Sequence, residues 1–65
     1  MRRYFYRYGA FWMFCRGTSK AQVENDLGEF AEEVLTAKEA EERAETDIEL
    51  AETVDAAKLC DLMCS

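Results

Sequence analysis

Residues 2–17 read RRYFYRYGAFWMFCRG, and seven of the protein's eight aromatic side chains fall here among arginines. Positions 3–16 alternate as strands do and are rich in Tyr, Phe and Trp. The one interruption, Gly9-Ala10, suits a two-residue II′ turn with glycine first. The stretch therefore predicts a β-hairpin with Tyr8 opposite Phe11, Arg7 opposite Trp12, Tyr6 opposite Met13, Phe5 opposite Phe14, Tyr4 opposite Cys15 and Arg3 opposite Arg16. One face then carries Tyr4, Tyr6, Tyr8, Phe11, Met13 and Cys15, and the other Arg3, Phe5, Arg7, Trp12, Phe14 and Arg16. The Arg3–Arg16 pair sets like charges opposite each other and counts against this register.

Working outward, Gly17-Thr18-Ser19 ends the second strand, and Ser19 with Gln22 forms a capping-box pattern at the head of a helix. From Ser19 on there is no proline, and after Gly28 no glycine, while Ala, Glu, Leu and Lys dominate. Val23, Leu27, Phe30, Val34, Ala37, Ala44, Ile48, Ala51 and Leu62 lie on one alternating three-and-four series that fails at Glu41, Asp55 and Lys58. One helix over 19–64 would run about 69 Å without a partner for its stripe, so it must bend back or meet another copy. The best break lies in 36–47, where Thr36 and Thr46 each begin a T-x-x-E pattern. A break at Asn25-Asp26 with Gly28 ending a first short helix, and a third strand at Ala21–Glu24, are alternatives. The expected fold is α+β: a two-stranded hairpin at about 3–16, then two or three helices at about 19–35 and from 37 or 47 to 63.

At 65 residues the chain is read as a single domain, near the lower size limit for a self-sufficient core. Ordering it costs on the order of 100 kcal/mol, so a disulfide, a metal or self-association would help. Cys15, Cys60 and Cys64 are odd in number and lack framework spacing, which points to free thiols in a reducing, cytoplasmic setting. The run GAFWMFC is too short for a signal peptide or a bilayer span. A homo-oligomer, a dimer first, is the favoured source of added stability.

No histidine, no G-x-S-x-G and no phosphate-cradling glycine loop is present, so the chain is not read as an enzyme and no cofactor is expected. Three thiols make an incomplete zinc set, so no metal is expected either. They are better read as small residues closing the last helix on the hairpin. Glu41, Glu42, Glu45, Glu49 and Glu52 would share one side of a continuous helix at about one carboxylate per 3.3 Å, near the roughly 3.4 Å charge spacing along one DNA strand. Such an edge could mimic nucleic acid in the groove of a host enzyme; a solvated, solubilising face is the plainer reading.

Charge divides the chain. Residues 1–20 hold five basic side chains and no acid, and residues 21–65 hold three bases against fourteen acids. The halves must attract, either as an internal clasp or as two separate binding surfaces. Tyr4, Tyr6, Tyr8, Phe11 and Met13 suffice for a core, which leaves Phe5, Trp12 and Phe14, flanked by Arg3, Arg7 and Arg16, as the candidate partner-binding face. Three occupants compete for it: the last helix, a partner protein or second copy, and single-stranded bases. The net charge of −6 opposes direct nucleic-acid binding. The expected function is a small acidic protein that regulates or inhibits a larger, unidentified protein by occupying its surface. In size and charge it is similar in kind to phage- or mobile-element-encoded inhibitors, an analogy that covers no particular residue. A structural homo-oligomerisation module is the remaining alternative.

Overall fold

The structure, a computed structural model, describes residues 1–64 and is an α+β fold. Strands β1 (Arg2–Tyr8) and β2 (Phe11–Gly17) form the hairpin in the predicted register, from Tyr8–Phe11 out to Arg3–Arg16. Gly9 takes φ +59° and Ala10 stays at negative φ, as a glycine-first II′ turn requires. A third strand, β3 (Glu33–Thr36), pairs antiparallel with β1, so the sheet order is β2-β1-β3.

Between β2 and β3, helix α1 (Lys20–Leu27) begins at Ser19, whose hydroxyl accepts from Gln22 N at 3.1 Å. Gln22 turns its Oε1 to Thr18 N rather than to the cap residue. Gly28, at φ +55°, ends the helix, as one alternative had it, and a 3-10 turn follows over Gly28–Phe30. The sequence reading carried helix to about residue 35 and placed a possible third strand at Ala21–Glu24. The structure corrects both: 21–24 is helical and the strand comes later. Past Gly28 the chain can change direction, and β1 still has an unpaired edge, so Val34 and Leu35 gain more by completing the sheet than by extending a helix.

Thr36 closes β3 and caps helix α2 (Ala37–Arg43) with the predicted capping box, its Oγ1 accepting from Glu39 N while Glu39 Oε1 accepts from Thr36 N. A turn over 44–46 leads to helix α3 (Ile48–Cys64). Its cap is Asp47, not the expected Thr46. Asp47 Oδ1 accepts from Leu50 N at 3.1 Å, its carbonyl accepts from Ala51 N at 2.9 Å, and Thr46 donates back to the Arg43 carbonyl instead.

Helices α2 and α3 cover one face of the sheet, where Phe5, Trp12, Leu35, Ala40, Leu50, Val54 and Ala57 form the core, with Phe14, Ala37 and Ala44 packed against it. The side of α3 that meets the sheet is thus Leu50, Val54 and Ala57, spaced four and three. The expected series through Ile48, Ala51 and Leu62 faces elsewhere, and Ile48 is 79% exposed where Leu50 is 0%. On the opposite face α1 covers only one end. Val23 is buried there with Tyr4 because Gly17 leaves room: a Cβ on Gly17 would stand 2.4 Å from Val23 Cγ2.

Two substitutions separate the observed stripe from the expected one. Leu50→Ala should lower the urea-unfolding free energy by about 2–5 kcal/mol, a large part of what a domain this size has. Ile48→Ala should change it by less than about 0.5 kcal/mol.

Candidate functional site

The face that sequence reasoning offered to a partner is the one the chain covers itself. Phe5 is 2% exposed and Trp12 8%, both beneath α3. Trp12 Nε1 donates to Asp47 Oδ2 at 3.3 Å, its carbonyl accepts from Thr53 Oγ1 at 3.4 Å, and the Arg43 guanidinium lies 5.9 Å from the ring centroid. Phe14 is half-buried, tilted against Phe5 with ring centroids 6.3 Å apart. These aromatics are core, and the need for a second copy to cover Trp12 disappears.

The reason is electrostatic. Arg3, Arg7 and Arg16 stand on the same face as Phe5 and Trp12, and the acid-rich second half of the chain is drawn to them. Asp61, near the end of α3, takes both Arg3 and Arg16 through one oxygen, the Arg16 contact at 2.8 Å, so the like-charged pair that counted against the register shares one carboxylate. Arg3 also lies over the Phe14 ring, 4.8 Å from its centroid. Arg7 donates to Glu32 at 2.7 Å, and Arg43 meets Glu33 at 2.6 Å. The charge division closes as an internal clasp. Hydrogen bonds from Arg16 and then Arg3 hold the Asp61 carboxyl below its ordinary range, and the Thr36 amide followed by Lys20 does the same for Glu39.

The five candidate glutamates do not share a helix. Glu41 and Glu42 are on α2, Glu45 is in the turn, and Glu49 and Glu52 are on α3. The even carboxylate spacing presumed one continuous helix, and the break at 44–46 removes it. All five are exposed, with Glu41 paired to Lys58 at 3.6 Å. Among the described residues no group of three or more His, Cys, Asp or Glu is placed to hold a metal ion. Cys15 is a free thiol, Cys15 and Cys60 are both half-buried, and burial pushes the Cys15 thiol up. The side chain of Cys64 lies outside the described structure. No helix among the described residues is long and apolar enough to cross a membrane.

What stays open is part of the set assigned to the core, since Tyr4 is buried and Tyr6 half-buried. Tyr8 is 49% exposed, Phe11 69% and Met13 50%, all on the sheet face that α1 leaves uncovered. Phe30, the eighth aromatic, returns from the 3-10 turn to the same face. It stacks on Tyr8 with centroids 4.3 Å apart and planes 14° from parallel, approaches Tyr6 at 6.5 Å, and remains 53% exposed. Carboxylates border this patch on two sides. Glu29 and Glu32 line a cleft with Tyr8, Phe11 and Phe30, and Glu49 and Glu52 line another with Phe11 and Trp12. A second apolar stretch, Leu59, Leu62 and Met63, is exposed on the last turns of α3.

No protein-family model, no curated protein and no solved structure matches this chain.

The Asp61 clasp has a pH signature. With its folded pKa depressed, Asp61 stabilises the protein fully well above its ordinary value, about 3.9, and that contribution is lost as pH falls through the folded pKa. Urea midpoints followed from neutral to acid pH should show this loss in the wild type. Asp61→Asn should lower the neutral-pH midpoint and flatten the acid limb, with the difference between the two proteins shrinking in high salt.

Proposed function

We propose that this protein is a non-enzymatic binding domain that regulates or inhibits a larger protein by occupying one of its surfaces through the open sheet face. One observation carries the reading: Tyr8, Phe11, Met13 and Phe30 form a contiguous exposed apolar patch that the monomer's core does not use. Large exposed apolar side chains grouped on one face and rimmed by polar groups mark interaction sites, and aromatic side chains and methionine are enriched there.

The acidic border gives the partner a sign. A basic-rimmed apolar surface would be attracted at a distance and desolvated at the centre, whereas a second copy joined face to face would set Glu29, Glu49 and Glu52 against their own counterparts. This support favours a hetero-complex over the homodimer expected from the sequence. Nucleic-acid mimicry has weaker support, since it asks for a straight acidic edge across the α2–α3 turn. The free Cys15 thiol is compatible with work in a reducing, cytoplasmic compartment.

The test is retention of partner from the native host by the wild type and by two double variants. Phe11→Ser with Met13→Ser should release the partner while leaving unfolding free energy within about 0.5 kcal/mol of wild type. Glu45→Lys with Glu49→Lys should weaken capture only modestly. Retention by the Phe11/Met13 variant, with loss in the Glu45/Glu49 variant, would overturn the assignment in favour of the acidic edge.

A further inference from the structure

The open face ends in a cleft of about 430 Å³ between the hairpin turn and the 3-10 turn, lined by Tyr8, Phe11, Phe30, Glu29 and Glu32 among others. Three rings and two carboxylates around one concavity select strongly by charge. The face of an aromatic ring is the negative end of its quadrupole and attracts a cation, and the carboxylates add Coulomb attraction from the rim. An anion is repelled by both. A neutral apolar group would fill the ring surface but would strip water from the acids without replacing it.

Arg7 bears on the charge count. Its Nη1 donates to Glu32 at 2.7 Å and to the Gly9 carbonyl at 3.1 Å, which offsets one carboxylate at the margin. Among the described residues no basic side chain is paired with Glu29. On the far side of Phe11, Glu49 and Glu52 extend the negative field.

Between the two cations of proteins, the shape of the cleft favours guanidinium. A planar, weakly hydrated guanidinium can lie flat on an open ring while donating in its own plane to a carboxylate, whereas a compact ammonium holds its water more firmly and needs a closer cage. We propose that this cleft receives an arginine side chain of the partner protein, its guanidinium laid against the aromatic surface that the Tyr8–Phe30 stack and Phe11 leave open and held at the rim by Glu29. The assignment rests on the open face being a protein-binding surface, and it names what that surface grips.

The probes are acetyl-arginine amide and its neutral isostere acetyl-citrulline amide, titrated into the ¹⁵N-labelled full chain. The arginine probe should give saturable shifts confined to the amides of residues 8–11 and 29–32, at least roughly fivefold tighter than the citrulline probe. Phe30→Leu and Glu29→Gln should each weaken it without disturbing the rest of the spectrum. Equal binding of the two probes overturns the proposal, as do non-saturating shifts spread over α2 and α3, which would mark simple counter-ion attraction. Loss of partner capture in the Phe11/Met13 variant together with no arginine preference would leave the binding face standing and remove only this inference. A cleft that takes arginine while that variant keeps its partner would sustain the site and remove the face's role in capture.

Discussion

Two arginines facing each other across a hairpin constrain the rest of the molecule. The Arg3–Arg16 pair follows from the Gly9-Ala10 turn and cannot be relieved without changing the register, which would send every side chain of a strand to the other face. The relief comes from Asp61, which meets both guanidiniums from the last helix. Exposed ion pairs contribute little stability singly, so the clasp acts more as a selector than as a glue. It favours docking of α3 on the face that bears both arginines. Burial of Phe5, Trp12, Leu35, Leu50 and Val54 beneath α2 and α3 then supplies the larger energy, at about 1.5–3 kcal/mol for a large side chain. Asp47 fixes the near end of α3 by capping it with one oxygen and accepting the Trp12 indole with the other.

The opposite face is defined by what remains. Helix α1 is eight residues long and contributes one buried residue, Val23, seated over Gly17 and Tyr4. It cannot reach the turn end of the hairpin. Phe30 covers part of the gap by stacking on Tyr8, and the surface left over is aromatic with an acidic margin. The net charge of −6 and the aromatic-rich start, which pull in opposite directions along the sequence, are thus neighbours in space.

Local chemistry was legible in the residues. Gly9-Ala10 specified the turn and with it every cross-strand pair, Thr36 with Glu39 specified the α2 cap, and Gly28 was recognisable as a helix terminator. Choices made by tertiary contact were not. Val34 sits at helical spacing from Phe30 and Ala37, four after the one and three before the other, and only the open edge of β1 makes Val34 and Leu35 a strand. Ile48 and Leu62 fit a heptad that α3 does not use. Of the three occupants weighed for the Phe5 and Trp12 face, the last helix is the one that covers it. The charge division carried that signal: fourteen acids lie in the second half of the chain, and an internal clasp was one of its two readings.

The clasp also sets a tempo. Trp12 and Asp47 are 35 residues apart in the chain, and Arg3 and Asp61 are 58 apart, so the contacts that close the core are among the most distant the chain can make. Distant contacts form late because loop entropy is lost before they return anything, and topologies rich in them fold slowly. The hairpin and the α2 cap, both local, can form well before. Until α3 docks, Phe5, Trp12 and the open Tyr8–Phe11 face are exposed on opposite sides of one thin ribbon. For that interval the protein is a two-sided apolar strand pair, and its freedom from aggregation depends on how fast Asp61 of the last helix finds Arg3 and Arg16.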